Sequence, residues 1–232
     1  MINKTIPRSE EDRNICRELS SFGVATISES QQKTNVMDSG ITPIQRGTSV
    51  SGVAVTVRCA DADNLMIHAA IEYCQKGDIL VVSTMSETRC GYFGELMATA
   101  CKRRGVAGLI IDGGVRDTKQ LREMEFPTWS RYVNVIGTSK NRPGWVNVPI
   151  TAGNTHINPG DFVTADDDGI VVTRRESVNE VIAAARAREK REEETRQRIQ
   201  NGELSVDFYS LREVMRDLKI KLNEQEVEKG KW

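Results

Sequence analysis

The chain has 232 residues, 38% of them apolar and 28% charged, with a formal net charge of −1. That length supports one sizeable domain with an added arm. The near-neutral balance argues against a strong field for nucleic acid or an anionic membrane, and no apolar run approaches the ~20 residues of a bilayer span.

The N-terminal stretch MINKTIPRSEEDRN is polar and lacks an apolar signal core. Cys16, Cys59, Cys74, Cys90 and Cys101 are odd in number and show no CxxC spacing. A disulfide framework or structural zinc site is therefore disfavoured, and a reducing cytoplasm is expected. Residues 8–21 predict a first helix with Ser9 as N-cap. The valine-rich, partly alternating SVSGVAVTVRC, 49–59, predicts a strand. ADNLMIHAAIEYC, 62–74, has helical spacing, and ILVVS, 79–83, reads as a strand covered on both faces. ELMATACKRRG, 95–105, reads as a helix with basic residues in its last turn and Gly105 as its stop. A buried strand over 106–112 and a helix over 118–125 follow.

This alternation argues for an α/β layer architecture. The stretch from Trp145 to about Arg175 reads instead as short strands joined by Pro, Gly and Asp turns. From about 176 the chain becomes helical and highly charged, with opposite charges at i and i+4. Asn201–Gly202 ends that helix. A shorter amphipathic helix is expected over 205–222, with a frayed tail beyond it.

The segment GLIIDGGVRDTKQL, 108–121, sets Arg116 and Asp117 where a strand ends and a helix begins. Ligands of open α/β sheets gather beyond the carboxyl ends of the strands. An arginine there can hold a carboxylate by two parallel hydrogen bonds, and an aspartate can take a hard divalent cation. Gly113 and Gly114 would let the backbone approach a ligand. Structural roles compete at each position. Asp117 with Gln120 is close to a capping box, and Arg116 can simply be solvated. Asp112 can hold the glycine turn. Gly94 precedes a helix whose free N–H groups suit an anion; Glu95 in its first turn also suits the helix dipole alone. Asp166, Asp167 and Asp168 read as a hairpin turn rather than a calcium loop, because the downstream glutamate is missing. His68 lies among apolar helix positions and reads as packed, and His156 has no ligand type near it in sequence. Lys76, Lys102, Lys119, Lys140 and Lys190 stand in polar contexts, which disfavours Schiff-base chemistry.

GYFGELMATACKRRGVAGLIIDGGVRD, 91–117, resembles the core motif of a known family. That family contains the regulator of ribonuclease activity A and the 4-hydroxy-4-methyl-2-oxoglutarate / 4-carboxy-4-hydroxy-2-oxoadipate aldolases. NPGDFVTADDDGIVV, 158–172, resembles its late hairpin, and the similarity covers about residues 20–175. TRQRIQNGELSVDFYSLRE resembles the C-terminal arm of the aldolase branch, which the short regulators largely lack. The resemblance implies an α-β-β-α sandwich of the swivelling phosphohistidine-like type, with a catalytic domain over 1–175. It implies a helical arm over 176–232 that packs on a neighbouring subunit of a homo-trimer or hexamer. The implied activity is metal-dependent cleavage of a 4-hydroxy-2-oxo acid to pyruvate, with oxaloacetate decarboxylation as a side activity.

The resemblance also assigns roles. Asp117 would bind Mg²⁺ or Mn²⁺, and Arg116 would hold the pyruvyl group and stabilise the enolate. The backbone of Gly94, Glu95, Leu96 and Met97 would cradle the substrate carboxylate. Glu95 would hydrogen-bond a water on the metal. Glu192, or the adjoining Glu193 or Glu194, would reach a neighbouring subunit's site; a solvated i,i+4 partner is the competing role. Arg89, Lys140 and Arg142 are candidates for a distal carboxylate. The rival readings are a non-catalytic ribonuclease regulator and an enzyme whose main substrate is oxaloacetate.

Overall fold

The computed structural model describes residues 1–4 and 7–220. The first half of the chain runs α1 (Glu10–Ser21), α2 (Val24–Ser30), β1 (Thr42–Pro43), β2 (Val50–Cys59), α3 (Leu65–Tyr73), β3 (Asp78–Thr84), β4 (Gly91–Phe93), α4 (Glu95–Arg104) and β5 (Gly108–Val115). It continues with α5 (Thr118–Glu123), β6 (Thr128–Val133), β7 (Trp145–Val146), β8 (Ile150–Ala152), β9 (Thr155–Ile157), β10 (Phe162–Ala165) and β11 (Ile170–Thr173). The helices α6 (Val178–Gln200), α7 (Ser205–Phe208) and α8 (Leu211–Asp217) follow.

The main sheet has the order β1-β6-β5-β3-β2-β10-β11, with β4 beside β5 and β7 beside β2. Its centre is parallel: β2 pairs β3, β3 pairs β5, and β5 pairs β6. Side chains alternate between two faces, as a strand's period of two requires. Leu80, Val82, Leu109 and Ile111 pack with Ile67 and Ala70 of α3, Met97 and Ala98 of α4, and Leu121 of α5. Ile79, Val81, Ile110 and Trp129 face the other way, against Ile150, Ala152 and Ile157 of the β8–β9 pair. A third cluster joins Leu19 and Ile27 to Phe162, Val171 and the start of α6 through Val181 and Ile182. Both faces of the central strands are therefore buried, which explains their unbroken apolar runs. This is the mixed α/β fold that the resemblance implies, and C-terminal helices follow it.

The chain divides into two compact units, Met1–Arg186 and Ala187–Trp232, with the division inside α6. All three apolar clusters belong to the first unit.

Ser9 caps α1 as expected, accepting from the Asp12 N–H at 3.0 Å. Gly105 ends α4 in the left-handed region at φ 75°. The aspartate turn is a hairpin: β10 pairs β11, and the Asp166 N–H donates to the Gly169 carbonyl at 3.0 Å. Two expectations need correction. The strand expected over 106–112 continues through both glycines to Val115, because Gly114 pairs with Gly91 of β4. The single helix expected over 205–222 is two short ones. Ser210 adopts φ 56° between them, a left-handed conformation that a continuous helix does not accommodate. The last two residues of that expected helix and the tail lie outside the described residues.

Candidate functional site

Arg116 and Asp117 follow β5 directly. Asp117 is the N-cap of α5, with φ 55° and ψ 38°, and its side chain makes no capping bond to its own helix. The capping-box alternative is therefore not realised. The left-handed backbone goes with a carboxylate on another element: Asp117 Oδ2 accepts the Glu95 N–H, the first of α4, at 3.2 Å. Arg116 Nε lies 3.6 Å from the same oxygen, and both side chains are substantially exposed, at 48% and 39%. An ion pair that exposed contributes only about 0–1 kcal/mol. A left-handed non-glycine residue costs roughly 1–2 kcal/mol. The pair therefore does little for folding, and strain retained at such a place points to function.

Gly94 makes the arrangement possible. A Cβ there would stand 2.3 Å from Asp117 Oδ2. Beyond it, the N–H groups of Leu96 and Met97 lie in the first turn of α4, where no intrahelical carbonyl reaches them. The Leu96 side chain is 80% exposed, whereas Met97 is buried, so at this turn α4 offers backbone rather than side chain. Arg116, Asp117 and residues Gly94 to Met97 all line one cavity of about 370 Å³. Asn64, His68, Gln120, Gly137 and Lys140 line it too.

Asn64 was not singled out by the sequence. It is buried, and its Nδ2 donates to the Tyr92 carbonyl at 2.8 Å. Its Oδ1 is buried with no partner, an orphaned acceptor in the cavity wall. The preceding Asp63 ties down the opposite loop. Its Oδ2 accepts Ser139 Oγ at 2.8 Å and the N–H groups of Asn141 and Arg142 at 2.7 and 3.1 Å. This fixes the segment that carries Lys140. An Asp-Asn pair before an amphipathic helix was the available signal, but it reads locally as a helix start.

Other expectations move. His68 is exposed and lines the cavity rather than packing in the core; partial burial and the Lys140 charge hold its imidazole below the ordinary value. Asp112 does not hold the glycine turn. Alternation sends it to the far face of β5, where it pairs with Arg131 and accepts the Gly153 N–H at 2.7 Å. Gly114 approaches protein, not ligand: a Cβ there would lie 2.2 Å from the Cys90 carbonyl oxygen on the neighbouring chain segment. Arg89 sits 5.4 Å over the Tyr132 ring, and neither it nor Arg142 lines the cavity. Glu192 belongs to the second unit, where it pairs with Arg188 at 2.8 Å.

A larger cavity, about 660 Å³, opens beside α1. Its buried charges are already matched, Arg8 with Asp78 and Asp12 with Arg175, each at 2.6 Å. Among the described residues no three His, Cys, Asp or Glu side chains form a ready ligand set. A single carboxylate with open space before it still fits a hard cation that keeps most of its waters. Asp117 offers that, with the Glu95 carboxylate lining the same space.

Residues 24–172 match the RraA-like family, Aldolase/RraA. The chain belongs to that family. It is 25% identical over 201 residues to a Halalkalibacterium halodurans protein provisionally named 4-hydroxy-4-methyl-2-oxoglutarate aldolase, covering 87% of this chain and 96% of that one. A Burkholderia multivorans protein with the same provisional name is 30% identical over 138 residues, covering 60% and 84%. Among solved structures, an uncharacterized Pseudomonas syringae protein superposes with a TM-score of 0.75 at 25% identity, covering 87% and 96%. Streptomyces coelicolor RraAS2 is described as an unusual member of the RNase ES inhibitor RraA protein family. It superposes with a TM-score of 0.71 at 30% identity, covering 81% and 98%.

Proposed function

We propose that the protein is a divalent-metal-dependent aldolase that cleaves a 4-hydroxy-2-oxo acid to pyruvate. The substrate is 4-carboxy-4-hydroxy-2-oxoadipate, giving pyruvate and oxaloacetate, or 4-hydroxy-4-methyl-2-oxoglutarate, giving two pyruvates. One observation carries the reading. Asp117 takes a left-handed backbone and sets its carboxylate at the N-terminus of α4, beside Arg116.

The N–H groups of Leu96 and Met97 bind the substrate's C1 carboxylate, as a helix N-terminus suits an anion. The Arg116 guanidinium faces the 2-oxo oxygen, where negative charge grows as the C3–C4 bond breaks. Asn64 Oδ1, buried and unpaired, accepts the hydrogen bond of the C4 hydroxyl. Lys140, in the same wall, meets the distal carboxylate. Asp117 would hold Mg²⁺ or Mn²⁺, Glu95 would hydrogen-bond a water of that metal, and the metal when bound would supply Lewis-acid stabilisation of the developing enolate charge. The same chemistry accounts for oxaloacetate decarboxylation as a side activity. In this reading the protein works as a cytoplasmic homo-trimer or hexamer. Residues 176–232 form the arm, and Glu192, or Glu193 or Glu194 beside it, enters a neighbouring subunit's site.

A second reading, a non-catalytic ribonuclease regulator, is favoured by one feature. Leu96, Val133, Val135 and Ile136 are exposed at 80%, 62%, 86% and 58%, and exposed apolar patches mark protein partners.

The deciding assay is pyruvate release from both substrates, with Mg²⁺ and with chelator. The wild type releases pyruvate only with metal. Asp117→Ala abolishes the metal-dependent rate, and Arg116→Ala lowers kcat by about 10²–10³. No release from either substrate or from oxaloacetate, with any divalent metal, rejects the aldolase and leaves the regulator. Turnover of oxaloacetate alone makes decarboxylation the main activity.

A further inference from the structure

The Arg116 guanidinium works only if something aims it. Among the described residues its ion-pair partner is Asp117, with Nε 3.6 Å from Oδ2. That distance is beyond a hydrogen bond, and a pair so exposed holds a side chain weakly. Packing has to aim the group instead. Three glycines flank Arg116 along its length. A Cβ on Gly91 would stand 3.0 Å from Arg116 Cβ, one on Gly94 3.1 Å from its Cγ, and one on Gly137 3.2 Å from its Nη1. The first two bear on the stem and the third on the guanidinium.

Gly137 differs from the other two in what requires it. Gly91 must also clear the Asn134 carbonyl oxygen, 2.6 Å from a Cβ, and Gly94 must clear Asp117 Oδ2 at 2.3 Å. The backbone of Gly137 lies outside the left-handed region, so it does not call for glycine. Among the described residues, the adjoining ones aside, no atom but Arg116 Nη1 stands within 4 Å of its Cβ position. Neither backbone conformation nor packing against the rest of the fold asks for glycine there; the guanidinium does. The loop is also held on both sides of Gly137. The Ile136 N–H donates to Asn134 Oδ1 at 2.9 Å, and the Ile136 carbonyl accepts the Gly91 N–H at 2.7 Å. The Ser139 N–H donates to the Ala62 carbonyl at 2.8 Å, and Ser139 Oγ donates to Asp63 Oδ2 at 2.8 Å. With the loop so pinned, a methyl at position 137 moves the far end of the arginine rather than the backbone.

We infer that Gly137 is a positioning residue: its bare backbone sets where the Arg116 guanidinium lies in the cavity that both line. The kinetic consequence rests on the aldolase reading, whereas the placement of the guanidinium stands without it. A methyl at position 137 makes the guanidinium give way by a few tenths of an ångström. Stabilisation of charge growing on the 2-oxo oxygen depends on distance and direction, so a shift of that size is felt in the rate.

The test has two readouts on the full-length protein. The first needs no turnover: the NMR signal of the Arg116 Nε–H, assigned by its loss in Arg116→Ala, shifts in Gly137→Ala. Gly137 is exposed, so the variant keeps the fold. The second is steady-state pyruvate release with Mg²⁺. Gly137→Ala lowers kcat and kcat/KM together, about tenfold, as when a contact made in the transition state is lost. It adds no further loss to Arg116→Ala, because the group it displaces is already gone. An unmoved Arg116 signal overturns the proposal, as does an undiminished kcat in Gly137→Ala. A further loss in the double variant also overturns it, since the methyl would then be obstructing the cavity itself. If the wild type releases no pyruvate, the aldolase reading falls and the Arg116 signal alone decides whether Gly137 places the guanidinium.

Discussion

A single missing Cβ sets the distance between Asp117 and α4. The backbone of Gly94 is extended, φ −160°, and open to any residue, so Gly94→Ala leaves the helix and the fold in place. The new methyl would stand 2.3 Å from Asp117 Oδ2 and must displace it. Pyruvate release then falls about a hundredfold, the usual result of an ångström's misplacement, while Tm moves by no more than about 2 °C. Steady-state kinetics beside calorimetry check this; full activity in the variant removes Asp117 from the chemistry. How far the sequence reveals the site differs from residue to residue. Arg116 and Asp117 were visible because a strand, two glycines and a helix start frame them. The bond from Glu95 to Asp117 was not, since it spans 22 residues. Asn64 was invisible for the same reason: its orphaned oxygen is defined by a cavity, not by its neighbours in the chain.

At the scale of elements, the loop that carries Lys140 hangs on one buried carboxylate. Burial pushes the Asp63 carboxyl up, but the N–H groups of Asn141, Leu65 and Arg142 and the Ser139 hydroxyl outweigh it and hold the value below 3.8. A carboxyl depressed on folding stabilises the native state above its unfolded pKa, and that contribution is lost as pH falls through the folded value. Asp63→Asn therefore costs about 2 kcal/mol at neutral pH. Its deficit against the wild type shrinks as pH drops below about 4. Denaturant melts across pH measure this, and a deficit independent of pH disproves it. The central strands and helices could be read from the sequence because burial on both faces leaves unmistakable apolar runs. β6 escaped, because TWSRYV has one core residue, Trp129, beside Arg131 and Tyr132, which line a cavity, and Val133, which is exposed. The break at Ser210 escaped because amphipathic spacing continues across it.

On the scale of the whole molecule, every residue of the three apolar clusters precedes Arg186. The second unit starts at Ala187, and no described residue beyond that point is buried. A chain cut after Arg186 therefore keeps a single cooperative transition, with Tm within about 4 °C of the full chain. It loses metal-dependent pyruvate release, because the proposed contribution of Glu192 is gone. Melting curves, light scattering and the pyruvate assay on one preparation separate the outcomes; an active truncated chain leaves the arm without a catalytic part. The mixed α/β character was evident early. The charge pattern changes near residue 176, and α6 stays buried on one side through Ala185.

As far as Asp112 the side chains of β5 alternate, and the strand is a party wall there: Ile111 faces the apolar layer under α4, and Asp112 faces Arg131 on the other side. Adding one residue between Leu109 and Asp112 would turn the side chains that follow it to the opposite face, as far as the irregularity before Gly114. Asp112 would then enter the apolar layer under α4, and the polar cavity that Asp112 and Arg131 line would inherit an aliphatic chain. This strand can drift in composition over generations, but a gap ahead of Asp112 should be rare in the chain's lineage.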